Sequence, residues 1–329
     1  MPRSRRTALI FGVNGQDGAY LTRLLLSKGY SVHGTSRDKD MSTFGNLERL
    51  GVKKDTHLHS ATIGDFRSVL QAIKEVNPTE IYSLAGQTSV GLSFSQPVDT
   101  VSSLLLGTIN ILEAIRFLEI DARFYNASSG ECFGNTPIEG ATETMQFHPR
   151  SPYGVGKAGA YWATANYRES YNLFACSGLL FNHESPLRPV RFVTQKIVRG
   201  AIDIHEKKIP KLKLGNLSVT RDWGWAEEYV EAMWLMLQAE HPEDYVIATG
   251  ATSSLESFVA TAFEYFGLNW RNHVEVDASL VRPSDISISI GNPTKAKTQL
   301  GWEAKTQMRG VVQKLIEAEL EYREMLART

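Results

Sequence analysis

Residues 7–29 read TALIFGVNGQDGAYLTRLLLSKG, and this stretch decides the fold. A short apolar run ends in glycines at 12, 15 and 18, and a segment with helical spacing follows. Glycine permits the tight turn and lets backbone N–H groups approach a pyrophosphate. The start of the following helix adds partial positive charge. A glycine loop alone is weak evidence, but strand, loop and helix in succession form the context that a dinucleotide-binding fingerprint requires. Gly12, Asn14, Gly15, Gln16, Asp17 and Gly18 are therefore candidate cofactor contacts.

The pattern continues outward. YSVHGTSR (30–37) alternates as a strand, and SVLQAIKEVNP (68–78) is a helix closed by Asn77-Pro78. EIYSLAG (80–86) is a strand, and a longer helix follows Pro97 through DTVSSLLLGTINILEAIRFL. ARFYNASSG (122–130) is another strand; Pro152 to about Asn172 is helical; FACSGLLFN (174–182) is a strand. Short apolar runs alternating with helices predict an α/β protein with a parallel sheet covered on both faces, the Rossmann-type doubly wound arrangement. After Pro186 the texture changes to scattered prolines and short mixed elements, and RGVVQKLIEAELEYREML (309–326) ends the chain as an amphipathic helix. The expected division is a nucleotide-binding domain over 1–180 and a smaller α/β substrate-binding region over 181–329, interleaved with it.

The chain has 329 residues, 42% hydrophobic, and a net charge of −1. Near-neutral charge gives no reason to expect nucleic acid or an anionic membrane as partner. The basic start MPRSRR leads into an apolar run too short for a signal peptide. No run approaches the roughly 18 apolar residues of a membrane span. Two cysteines do not make a disulfide framework, so a cytoplasmic protein is expected. His183 and Glu184 are an isolated pair without a second cluster at ligand spacing, so no metal is expected.

The second strand ends in Thr35 and Ser36, where an NAD site usually has a carboxylate, and Arg37 follows. A guanidinium beside small hydroxyls suits a 2′-phosphate, which points to NADP rather than NAD. IGDFRS (63–68) places Asp65 and Phe66 where adenine would lie, and Leu84, Ala85, Gly86, Gln87 and Thr88 form a small-residue strand end open to a cofactor.

Tyr153 and Lys157 lie four apart on one helical face. An ammonium beside a phenol lowers its pKa, and the phenol then exchanges a proton with a substrate hydroxyl during hydride transfer. Ser129 is placed to hydrogen-bond the same oxygen. Glu131 adds a second acid/base, which permits loss of a proton next to a carbonyl and then loss of water. Arg221 and Arg282, beside turn residues, suit a diphosphate clamp.

At these residues the chain resembles the extended short-chain dehydrogenase/reductase family, and within it the GDP-mannose 4,6-dehydratases. GVNGQDGAYL, SSGECFG, HPRSPYGVGKAGAYW, FNHESP, LGNLSVTRDWGWAEEYVEAMW and RPSDI carry the likeness over nearly the whole chain. The resemblance implies that Tyr153 takes the 4-hydroxyl proton, Lys157 holds the cofactor ribose, Glu131 removes the C5 proton, and Ser129 polarises the 4-oxygen. It assigns His183 and Arg188 to the cofactor and Asn182, Lys196, Arg221 and Arg282 to the nucleotide diphosphate of GDP-mannose, with Asp285 at a nucleotide-sugar contact. It also implies a homodimer or homotetramer built on the helices over 99–118 and 152–172. Departures include Ser89, Asp99, Cys132, Trp225 and a second-strand loop, SRDKDMSTFGNLERL, with one arginine before its acids. They leave a GDP-heptose as an alternative substrate. Two other readings stand beside the dehydratase: a 4-keto sugar reductase or epimerase, for which Glu131 is superfluous, and a silent dinucleotide sensor.

Overall fold

The computed structural model describes residues 6–328; most of the basic start, residues 1–5, lies outside the described residues. The strands of the main sheet are β1 (Thr7–Phe11), β2 (Ser31–Ser36), β3 (Thr56–Ser60), β4 (Glu80–Ser83), β5 (Arg123–Ser129) and β6 (Ala175–Leu180). After them come β7 (Asn182–Glu184), β8 (Leu212–Leu214), β9 (Thr220–Arg221), β10 (Trp223–Trp225), β11 (Tyr245–Ile247), β12 (Ser253–Ser254), β13 (Val274–Val276) and β14 (Ile288–Ser289). The main helices are α1 (Gln16–Ser27), α2 (Phe66–Val76), α3 (Pro97–Leu118), α4 (Pro152–Tyr171), α5 (Val193–His205), α6 (Ala226–Met236), α7 (Leu255–Glu264) and α8 (Met308–Arg328).

Seven strands form one parallel sheet in the order β11-β6-β5-β4-β1-β2-β3. Strand order reverses between β1 and β4, and ligands of such sheets bind outside the carboxyl ends at that switch point. β4 and β6 are buried at every residue because helices cover both faces. The edge strand β3, THLHS, is only partly covered and carries little apolar signal. The helix limits follow local chemistry. Asp65 caps α2 by accepting from the Arg67 N–H, and Asn77 ends it at φ 44°. Ser151 caps α4 through the Gly154 N–H, Pro152 opens it, and Asn172 ends it at φ 53°.

The two parts interleave across residue 180. β11 comes from the C-terminal part yet pairs with β6, and α6 packs on α1 over the first core. Asp244, just before β11, fixes this return. Its carboxylate accepts from the Arg168 guanidinium at 3.0 and 2.8 Å and from the Ser177 N–H at 2.7 Å. The remaining C-terminal elements surround a second core that includes Ile197, Phe258, Phe263, Val311 and Leu315. β7, which follows the main sheet directly, pairs with β10 and links the two parts at the strand ends.

The expectation that no segment has membrane-spanning character also needs qualification. α3 is 22 residues long and apolar enough, by length and composition, to cross a membrane. Leu104, Ile111, Leu112 and Ile115 on it are buried in the domain. Val98, Leu106 and Phe117 are exposed, as are Val155, Trp162 and Tyr171 of α4.

Removing the Asp244 carboxylate strands a partly buried guanidinium and an amide. Asp244→Ala is expected to cost about 3 kcal/mol of unfolding free energy, read as a lower urea midpoint.

Candidate active site

A cleft of about 1250 Å³ opens at the carboxyl ends of the sheet, with the second region as its far wall. On one side is the glycine loop. Gly12 sits at φ 88°, and a Cβ there would come within 2.8 Å of the Ala85 nitrogen. A Cβ on Gly18 would come within 2.4 Å of the Gly12 carbonyl. The loop can therefore fold against β4 and α1 only as glycine. Gly15 caps α1 without a side-chain acceptor, so the first turn of the helix faces the cleft with its dipole uncompensated by a cap. This donor set fits the pyrophosphate of a dinucleotide.

The loop is braced from the opposite wall. His183 Nδ1 donates to the Phe181 carbonyl at 2.7 Å, while Nε2 faces both Asp17 oxygens at 3.0 and 3.1 Å. Both ring nitrogens meet acceptors, a pattern that a protonated ring satisfies. Burial pushes its pKa down, but the Asp17 carboxylate outweighs burial and leaves it raised. Asp17 is the complement: burial raises it, and His183 brings it below the ordinary range. Gln16 donates to the His183 carbonyl, and Arg188 donates to that carbonyl and pairs with Glu184 at 3.3 Å. His183 and Glu184 thus turn to different partners, Glu184 also accepting from Thr194 at 2.7 Å.

β5 delivers Ser129 to the cleft floor, and the turn after it delivers Glu131, whose N–H donates to the Ser129 hydroxyl at 3.2 Å. α4 lies across this strand end and presents Tyr153 and Lys157. Lys157 Nζ donates to the Ala127 carbonyl and stands 5.8 Å from the centre of the Tyr153 ring. Burial brings the Lys157 pKa down to about 8.

The phenol behaves differently from the sequence expectation. Burial pushes Tyr153 above the ordinary tyrosine range, a hydrogen bond with Ser129 opposes this, and the Glu131 carboxylate reinforces it. The expected lowering by Lys157 is not what dominates, because burial of the phenol outweighs it. Glu131 is also raised, first by burial, with Arg221 and Arg282 acting the other way.

The far wall holds the basic groups. Arg221 is buried and donates to the Ile286 carbonyl at 2.7 Å and to Asp285 at 3.0 Å; Arg282 approaches the same carboxylate at 3.6 Å. Asn182 and Lys196 line the cleft beside them, and Arg37, at the adenosine end, carries no ion pair among the described residues.

Of the predicted site residues, two are not brought to the cleft. Asp65 is spent on capping α2, and Phe66 opens that helix; Thr62, Ile63 and Gly64 form the wall there instead. Asn216, Val219, Trp223 and Leu280 also line the cleft and were not among the predicted site residues. Each lies on a short element or in a connecting loop without periodic signal. Arg191, a cleft-lining guanidinium over the Phe192 ring, was missed as well. Its nearness to Arg188 and Lys196 in a stretch poor in acids was the available clue.

Comparison with known proteins gives a consistent result. A family model described as GDP-mannose 4,6 dehydratase matches residues 9–315. GDP-mannose 4,6 dehydratase 1 of Arabidopsis thaliana is 43% identical over 332 residues, covering 97% of this chain and 91% of the relative. The Homo sapiens protein of that description is 40% identical, covering 98% and 93%. The Sinorhizobium fredii protein is 41% identical, covering 97% of each. Among solved structures, dTDP-glucose 4,6-dehydratase from Bacillus anthracis in complex with NAD superposes with a TM-score of 0.84 at 19% identity, covering 97% of this chain and 98% of that one. UDP-glucose 4-epimerase from Thermus thermophilus, complexed with NAD, gives 0.80 at 25% identity, covering 94% and 98%.

The Lys157 proton affinity has a measurable sign. Its folded pKa of about 8 lies below the ordinary lysine value, so between these limits the unfolded chain binds more protons. Stability of the protein alone, measured as wild type minus Lys157→Met, is expected to rise in favour of wild type from about pH 8 to 10, by on the order of 2–3 kcal/mol. A flat difference in urea titrations across that window would contradict it.

Proposed function

The chain belongs to the GDP-mannose 4,6-dehydratase family, and on that premise we propose how its own residues divide the chemistry. It is a hydro-lyase that converts GDP-mannose to GDP-4-keto-6-deoxymannose and water. One observation supports the residue assignment above others: Ser129, Glu131, Tyr153 and Lys157 face the same cleft as the Arg221–Arg282 pair. A hexose joined to a diphosphate held by those arginines lies over the four groups.

A nicotinamide cofactor, when bound, supplies the two-electron exchange, accepting electrons from carbon 4 and returning them at carbon 6. Tyr153 takes the proton of the 4-hydroxyl, and Ser129 donates a hydrogen bond to the 4-oxygen. The raised proton affinity of the buried phenol makes it a strong base once ionised. Lys157 holds the cofactor ribose and keeps a positive charge near the phenol. Oxidation at carbon 4 acidifies the C5 proton. Glu131 takes that proton and delivers it to the 6-hydroxyl, which leaves as water; carbon 5 takes up a proton as carbon 6 is reduced, and this balances the proton Tyr153 accepted from the 4-hydroxyl. The raised affinity of Glu131 suits a carboxyl that must both accept and donate near neutral pH.

The cofactor in this reading is NADP. Thr35 and Ser36 close β2 without a carboxylate, and Arg37 projects into the cleft. The nearest acid, Asp38, is engaged in its own exposed turn, where it accepts from the Asp40 and Met41 N–H groups. Two subunits pair through α3 and α4, whose exposed Val98, Leu106, Val155 and Trp162 support an apolar interface. Both cysteines are buried and free, which suits a reducing cytoplasm.

The reading is tested by incubating the protein with GDP-mannose and catalytic NADP⁺ without reductant. A 4-keto product with no net cofactor consumption is expected; stoichiometric NADPH loss upon a keto sugar would indicate a reductase. Glu131→Gln is expected to bind cofactor normally and lose dehydration by about 10³-fold, while Tyr153→Phe stops the initial oxidation. Arg37→Ala is expected to weaken NADPH about tenfold relative to NADH in fluorescence titrations.

A further inference from the structure

α3 is not regular along its length. Over Ser102–Leu106 it widens into a π turn, and the Gly107 N–H reaches back five residues to the Ser102 carbonyl. Such single turns inside α-helices are rare and gather at functional places. Here the turn touches both walls of the cleft. Ser103 Oγ accepts from the Gln87 N–H at 3.4 Å, and Thr100 Oγ1 accepts from the Gln87 side chain at 3.1 Å. These bonds tie α3 to the strand-end loop over Leu84–Thr88, which lines the cleft beside the glycine loop. Leu104, 3% exposed, fills the gap between that loop and α4. A Cβ on Gly86 would lie 2.6 Å from Leu104 Cδ2, and a Cβ on Gly156 would lie 3.1 Å from Leu104 Cδ1. The two methyls of one side chain thus press on two glycine backbones, one in each wall. Gly156 stands beside Lys157 and three residues after Tyr153, so its placement sets theirs.

We propose that Leu104 is a positioning residue: held by the π turn of α3, its side chain sets the spacing between the Leu84–Thr88 loop and the Tyr153/Lys157 face of α4. The proposal deepens the dehydratase reading and rests on it. In that reading a hydride leaves carbon 4 while Tyr153 takes the hydroxyl proton, so both walls must stand at one separation for the two transfers to coincide. Close-packed interiors pass a displacement on, because they hold little free space to absorb it. Removing the two methyls leaves a void or lets the walls move together. Either outcome changes the alignment and removes no polar group that binds substrate.

The test uses the full chain with NADP⁺ and GDP-mannose. Leu104→Ala is expected to lower kcat about tenfold while KM stays within about threefold, the mark of lost alignment rather than lost binding. A loss confined to KM, or none in either constant, would overturn the proposal. Gly156→Ala adds a methyl to the gap from the α4 side and is expected to lower kcat as well. In the double variant that methyl takes up part of the vacated space, so kcat is expected to exceed that of Leu104→Ala alone; losses that simply multiply would count against a shared gap. Leu315→Ala, in the second core, gauges general loosening. It is expected to lower Tm comparably and to leave kcat within about twofold of wild type, and an equal kcat loss there would sink the idea. NADPH fluorescence gives a readout without turnover. At saturation its emission is expected to differ between wild type and Leu104→Ala, with Kd within about threefold, and identical emission would overturn the proposal. Failure of wild type to dehydrate GDP-mannose would count against the dehydratase reading, while the NADPH emission would still decide whether Leu104 sets the spacing.

Discussion

Parallel pairing of β5 between β4 and β6 is the constraint from which the site follows. Ser129 can stand at the cleft floor only because β5 ends level with Leu180 of β6, one strand away from the glycine loop's support on β4. The register also sets where α4 crosses. Its first turns meet the end of β5, so Tyr153 and Lys157 arrive over Ser129 and Glu131 although more than twenty residues of chain intervene. The same arrangement gives Lys157 its hydrogen-bond acceptor, the β5 carbonyl of Ala127.

Burying so many ionisable groups is costly unless each has a partner. The cleft meets this in layers. Asp17 and His183 neutralise each other and lock the glycine loop to β7. Glu184 is held by Arg188 and Thr194. Arg221 and Arg282 share Asp285. Glu131 has no carboxylate-binding ion pair of this directness among the described residues, and its proton affinity rises accordingly. Structural pairs are thereby separated from the group left free to trade protons, a division expected of a catalytic cleft.

Part of the reading failed for identifiable reasons. β3 leaves only a faint trace in the sequence, the strand end before Asp65, because an edge strand THLHS has no apolar run. β11 carries no local sign of where it belongs, because three residues of strand, YVI, look the same in either sheet, and only the Asp244 contacts show it. Asp65 and Phe66 sat at a strand end in the sequence, but helix capping claimed the carboxylate. Tyr153 and Lys157 were correctly placed on one face, yet their electrostatics came out differently, since burial outweighed their mutual influence.

The sequence by itself determined the alternation of strands and helices, the glycine loop, the helix ends at Asn77 and Asn172, and the four reactive side chains of 129–157. Those are local properties: periodicity, capping and backbone freedom act within a few residues of each other. Only the tertiary structure decided which region supplies the seventh strand, which residues wall the adenosine end, that two arginines share one acid, and which way each buried group's proton affinity moves. Desolvation and charge pairing depend on neighbours distant along the chain, and no local pattern encodes them.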